Sequence, residues 1–120
     1  MRRRNLSDRV RLLHMRDACR RALEITQNKD LRSLAPEEET SLAFVRLLEI
    51  LGEAARGISE EFKRLHPEIP WREIVATRNL LIDEYFGVDM EVVAAILEQD
   101  LPPLLEQLES LLATMDRPED

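Results

Sequence analysis

Six apolar side chains in one stretch constrain this chain more than any other feature. Phe44, Leu47, Leu48, Leu51, Ala55 and Ile58 recur at i, i+3, i+4, i+7, i+11 and i+14. That spacing lays a single stripe along an α-helix. Gly52, Ala54 and Ala55 keep the same helix thin, so another helix could approach it closely. Only three glycines in 120 residues, with 44% hydrophobic and 34% charged residues, favour a helical protein over a sheet-rich or disordered one. The length suits one domain with a single core.

The remaining segments read as partners for that helix. The first helix is expected over about Leu6 to Gln27, with Asn5 or Ser7 as N-cap. Leu12, Met15, Cys19, Ala22 and Thr26 form its stripe, widened by Leu13, Leu23 and Ile25, while Arg9, Arg16 and Arg20 lie towards the other side. His14 stands beside the stripe and reads as a packing or interface residue; Cys19 reads as a small core residue. Pro36 and the three glutamates after it favour the start of the second helix there. Gly57 and Ser59 end it and open a short helix, with Ser59 as cap and Glu60 and Glu61 in its first turn. In HPEIPW, Pro67 and Pro70 break that helix, His66 marks its end, and Trp71 becomes an apolar lid on the core.

Pro70 suits the first turn of the next helix, which would hold Ile74, Arg78, Ile82 and Tyr85 along one side. After a turn at Gly87, Asp89 caps a helix over Met90 to about Gln99, and Pro102 and Pro103 kink or restart it. Leu101, Leu104 or Leu105, Leu108, and Leu111 or Leu112 make its stripe, and the tail from about 114 to 120 should fray. The expected architecture is all-α: one domain over 1–120 with its core in about 6–112, folded as an up-and-down bundle of four to five helices.

Charge and cysteine usage narrow the class. The net charge of −7 argues against a general polyanion binder, but residues 1–21 hold eight arginines against two acids, and residues 83–120 hold eleven acids against one base. That asymmetry could seat an anion at one end or let acidic and basic faces meet between chains. There is no membrane-length apolar run, no signal-peptide core, and a single cysteine, so the cytoplasm is the expected location. No phosphate loop and no metal-ligand spacing occurs, and no cofactor or metal is expected.

The stretch from Pro70 to Val93 carries the candidate chemistry: Arg78, Asn79, Asp83, Glu84 and Tyr85 among Leu80, Leu81, Ile82 and Phe86. Polar groups placed where a helix should pack are either paired in the core or carrying chemistry. Arg78 with Asp83 or Glu84 could be a buried ion pair, and Tyr85 and Phe86 core aromatics. Residues five apart on a straight helix lie about 140° apart around its axis. Arg78 and Asp83 can therefore share a site only if the helix ends or kinks between them or a second chain supplies the other half.

MRDACRRALEI, FVRLLEILGEAARGISEEFKRLHPEIPWREIV, RNLLIDEYFGVDMEVV and DLPPLLEQL, in that order, resemble the HEPN-domain toxins of the HepT family. The resemblance covers roughly residues 6–112. It implies an all-helical domain that dimerises through the helices carrying an R-x4-H-x-Y motif. It implies a metal-independent ribonuclease with tRNA as a target class, paired with a minimal nucleotidyltransferase antitoxin called MntA. In the family the arginine stabilises the phosphate in the transition state, the histidine is the general acid or base, and the polar residue after the arginine supports the site. The antitoxin AMPylates the tyrosine. Carried onto this chain, these positions are Arg78, Asn79 and Tyr85.

Asp83 departs from the pattern, standing at the motif histidine. A histidine near 6.5 can serve as acid or base at neutral pH, whereas an aspartate near 3.9 is ionised and can only accept. The change implies low activity, roughly 10²–10⁴ below a histidine form. It could be inactivating, a working base in an altered site, or the mark of a non-catalytic adaptor that binds a nucleotidyltransferase partner.

Overall fold

Ser7 starts the first helix: its hydroxyl accepts the Val10 N–H at 3.2 Å, and α1 runs Asp8–Thr26. The computed structural model describes residues 7–83 and 88–116, with backbone alone described at 82 and 83. Asn28 ends the helix with φ of 62°, a left-handed conformation that asparagine tolerates. A 3-10 turn, Leu31–Ser33, leads into α2, Glu39–Gly57. Then follow α3, Glu60–Leu65, α4, Trp71–Asp83, and α5, Met90–Ala95, which passes through a π-helical turn, Ile96–Asp100, into α6, Leu101–Met115. Counting the last three as one span gives five helical spans among the described residues, and no strand. The all-α bundle expected from the periodicity is what forms.

The helix α2 is the hub, packing on α1 along one side and α4 along the other, while α6 closes against α1. Phe44, Leu48, Leu51, Ala55 and Ile58 are buried and Leu47 is half-buried, so the stripe that constrained the sequence is the centre of the core. Each fully buried large apolar side chain contributes about 1.5–3 kcal/mol. Leu12, Met15, Cys19 and Ala22 of α1 and Leu101, Leu104, Leu108, Leu111 and Leu112 of α6 complete it. No described helix is long and apolar enough to cross a membrane.

One expectation is corrected. Pro36 does not lie in the first turn of α2, which begins at Glu39. The Ala35–Glu38 turn intervenes, closed by the Glu38 N–H on the Ala35 carbonyl at 3.1 Å and by the Glu38 carboxylate accepting from the Ala35 N–H. As expected, the helix restarts at Pro102 and Pro103, which lie in the first turn of α6 after the π-helical turn. The Leu101 N–H donates to the Ile96 carbonyl, five residues back. That wider turn accommodates the two prolines that cannot donate to the residues before them. Residues 114 and 115 of the tail are helical and Arg9 of α1 pairs with Asp116 at 2.8 Å, while the rest of the tail expected to fray, from 117, lies outside the described residues.

The charge asymmetry also finds an explanation within one chain. Arg9 pairs with Asp116 and Arg20 with Glu109, both at 2.8 Å, so basic residues of α1 meet acidic residues at the α6 side of the same fold. Arg2 to Arg4 and the residues after Asp116 lie outside the described residues.

Candidate active site

The start of α4 is fixed before its functional residues are reached. Ile69 is buried, the Trp71 N–H donates to the Ile69 carbonyl at 2.8 Å, and the Pro70 carbonyl accepts from Ile74 at 3.1 Å. Pro70 thus precedes the helix and accepts one of its first bonds. Trp71 is buried as expected, with its indole N–H donating to the His66 carbonyl at 2.9 Å. Its ring meets Phe62 edge-on, and Phe62 in turn stacks against His66 at 4.4 Å. His66 is the C-cap of α3 and His14 is exposed on α1; neither is a hydrogen-bond or ion-pair partner of Arg78.

From that anchored start α4 crosses α2 at Gly52. A Cβ on Gly52 would stand 2.1 Å from the Arg78 Cβ and 3.1 Å from the Ile74 carbonyl oxygen. Here glycine is required by close approach. The crossing draws the Arg78 stem into the seam between the helices, leaving its side chain 17% exposed.

The guanidinium is incompletely satisfied there. Nη1 donates to Asn79 Oδ1 at 3.0 Å, and Nη2 donates to Glu53 Oε2 at 3.3 Å. Nε is buried without a hydrogen-bond partner among the described residues. A good charge-assisted bond is 2.7–2.9 Å long, so the Glu53 contact is weak, and Glu53 itself is mostly in solvent. Arg78 therefore keeps a half-buried positive charge with donor capacity to spare. A guanidinium has five N–H donors and no acceptor, in a fork that matches carboxylate and phosphate oxygens. Asn79 is exposed; its amide oxygen faces Arg78, which leaves its NH2 as a donor for a ligand.

The helix α4 is continuous from Trp71 to Asp83. Positions 78 and 83 are therefore about 140° apart around one helix axis, with no break between them. Of the Asp83 side chain nothing is described, and Glu84, Tyr85, Phe86 and the turn at Gly87 lie outside the described residues. The structure thus brings Arg78 and Asn79 together and adds Glu53, which the sequence reasoning missed. The signal was present in GEAA: Glu53 follows the glycine that admits α4.

Two hollows flank α4. One, of about 850 Å³, is lined by Arg56, Lys63, Trp71, Arg72 and Asn79 together with Glu60 and Glu73. The other, of about 440 Å³, has an apolar floor of Leu48, Leu51, Ile74 and Leu104 and runs to the π-helical turn at Ile96 and Asp100. Among the described residues no group of three or more His, Cys, Asp or Glu side chains is placed to hold a metal ion.

Comparison with known proteins shows the family. The family model described as Ribonuclease HepT-like matches residues 15–111. A Thermococcus cleftensis protein named as a probable ribonuclease HepT is 43% identical over 88 residues, covering 73% of this chain and 80% of its own. A Methanocaldococcus jannaschii protein named as a candidate RNase is 36% identical over 87 residues, 72% of this chain and 80% of its own. Another, from Caldanaerobacter subterraneus, is 33% identical over 101 residues, 84% of this chain and 90% of its own. No solved structure matches. The chain belongs to the HepT-like ribonuclease family.

Proposed function

We propose that this protein is the toxin of a toxin–antitoxin pair, a metal-independent ribonuclease by lineage whose activity is impaired by Asp83. The observation that carries the reading is Arg78: a half-buried guanidinium at the motif position, with a weak ion pair and an Nε unpartnered among the described residues, held by the Gly52 crossing. Arg11 beside Gly57 also has a buried Nε with no partner among the described residues, so it is the motif position together with the spare donors that singles out Arg78. Arg78 suits a group that arrives from outside and carries anionic oxygens, such as the phosphodiester of a tRNA-class substrate.

In the proposed reaction a 2′-hydroxyl attacks the adjacent phosphorus, forming a new P–O bond as the bond to the 5′-oxygen breaks. Arg78 binds the phosphate oxygens as charge builds on them, and Asn79 steadies the guanidinium. One group must take the 2′-proton and one must return a proton to the leaving oxygen. Position 83 is where the family's histidine does this. An aspartate there accepts protons but does not supply them near neutral pH, and it adds negative charge beside the phosphate.

The continuous course of α4 from Arg78 to position 83 favours a site completed by a second copy of the chain, so the working form is proposed to be a homodimer in the cytoplasm. Residues 1–120 act as one domain. Its antitoxin would be an MntA-like minimal nucleotidyltransferase, with Tyr85 as the position it AMPylates. The test is cleavage of bulk tRNA in chelator-containing buffer by the chain as given and by Asp83→His. Cleavage by the histidine form alone supports an intact scaffold silenced at one residue. Cleavage by both makes Asp83 a usable base, and cleavage by neither favours a non-catalytic adaptor.

A further inference from the structure

The hollow lined by Asn79 is set apart by two arginines that share one open wall without an ion pair. On α1, Arg9, Arg16, Arg20 and Arg21 each have a carboxylate within 4 Å, and Arg32 reaches both Glu91 and Glu98, whereas Arg11 and Arg64 have none among the described residues but do not line this hollow. Arg56 and Arg72 have no such ion pair among the described residues, and both line the same open hollow of about 850 Å³. Arg56 comes from the last turn of α2 and Arg72 from the first turn of α4. Lys63 of α3 lies on the same wall and is held by Glu60 at 3.6 Å; Glu73 is the other acid of the lining. The hollow ends at Asn79, the residue that fixes the Arg78 guanidinium.

Resting on the ribonuclease reading, we propose that this recess is the substrate path into the site, in which Arg56 and Arg72 hold backbone phosphates of a single RNA strand next to the one that Arg78 engages. Three observations favour an RNA strand over a single anion. The hollow is too open and large for one phosphate. Its two cations come from different helices, so they can meet successive phosphates. Asn79, exposed where the hollow approaches Arg78, offers amide N–H groups to a sugar hydroxyl or phosphate oxygen. The two acids in the wall make the path selective for a threaded strand over indiscriminate anion binding, in keeping with a chain of net charge −7.

The test is binding by the full chain of a short single-stranded 2′-O-methylated oligoribonucleotide, which lacks the attacking hydroxyl, followed by fluorescence anisotropy across a salt series. Each phosphate contact to a single strand contributes about 0.7 to the log–log salt slope. The paired substitution Arg56→Gln and Arg72→Gln should therefore reduce that slope by about 1.4. Arg56→Lys with Arg72→Lys should keep it, as a phosphate contact can be made by a point charge. Arg20→Gln with Arg21→Gln removes the same charge from α1 and should leave the slope unchanged. Melting curves of each variant separate lost binding from lost folding. An unchanged slope in the Arg56/Arg72 glutamine variant overturns the proposal, as does an equal loss in the α1 pair or displacement of the oligonucleotide by polyglutamate at equal charge. Cleavage by Asp83→His that is indifferent to Arg56 and Arg72 would leave the ribonuclease reading standing without this path.

Discussion

Two seams of this fold treat charge in opposite ways. Where α1 meets α6, the interior is hydrocarbon, from Leu12, Met15 and Cys19 to Leu108 and Leu112, and the charges stand on the rim in matched pairs. Where α2 meets α4, the backbones approach across Gly52 and a charged side chain is drawn between them with one of its nitrogens unpartnered among the described residues. The first arrangement is what stability alone would select. In the second, a half-buried cation is kept despite its desolvation cost, and proteins retain such local violations chiefly where a site needs them.

The contrast can be broken or sharpened by substitution, and the largest effect is expected in the apolar seam. Leu108 is fully buried on α6, so Leu108→Ala should lower unfolding stability by about 2–5 kcal/mol in urea titration. Next comes Gly52→Ala. Alanine is worth about 1 kcal/mol more than glycine inside a helix, but here its Cβ would meet the Arg78 Cβ at 2.1 Å. That atom belongs to a helix and cannot swing aside. Overpacking costs about 1–3 kcal/mol, so a net loss is predicted, with Arg78 displaced and cleavage by an Asp83→His background reduced along with it. A gain in stability would mean that the two helices are free to part.

The apolar seam also has a pH signature. Burial pushes the Cys19 thiol up from its ordinary value near 9.0 to about 12. The folded form therefore holds its proton more tightly than the unfolded chain. Its contribution is fully present below about pH 9 and declines as the pH rises from there towards 12. The decline should be about 1.4 kcal/mol by pH 10, measured as the difference in urea midpoint between the parent and Cys19→Ala. The smallest effect belongs to the rim. Arg9 holds the Asp116 carboxyl below its usual range, but both side chains are in solvent. Asp116→Asn should hardly move the melting midpoint, and the little it does should vanish at high salt.

What could be read from the sequence follows the range of the interactions concerned. The caps at Ser7, Ser59 and Asp89 are local: each side chain accepts an N–H two or three residues ahead, and each was legible from residue type and position alone. The thin face at Gly52 was legible as well, because small residues at helical spacing leave few other meanings. The late start of α2 was not, since it depends on Ser41 reaching back to the Ala35 carbonyl at 2.7 Å as well as on the turn itself. The restart at Pro102 and Pro103 was legible, but the π turn through which the helix reaches it was not, since it depends on the Leu101 N–H finding the Ile96 carbonyl five residues back. Pairs such as Arg78 with Glu53 and Arg9 with Asp116 join residues far apart in the chain, and composition carries no record of which acid meets which base. At the candidate site, the motif named Arg78 and Asn79 as candidates, while the fold told why Arg78 is held half-buried.

The central claim is that Arg78 occupies the α2–α4 seam for its chemistry and not to hold the seam together. The measurement that bears on it most directly is Arg78→Met in an Asp83→His background, read for both stability and tRNA cleavage. Methionine fills similar volume without a charge, and replacing a buried ion pair by well-packed apolar groups is often neutral or stabilising. The account predicts a urea midpoint equal to or above that of the parent, with cleavage lower by about 10²–10³, the scale of losing one transition-state donor. A protein that unfolds more easily while cutting RNA as before would contradict it, and would make Arg78 a structural tie between two helices.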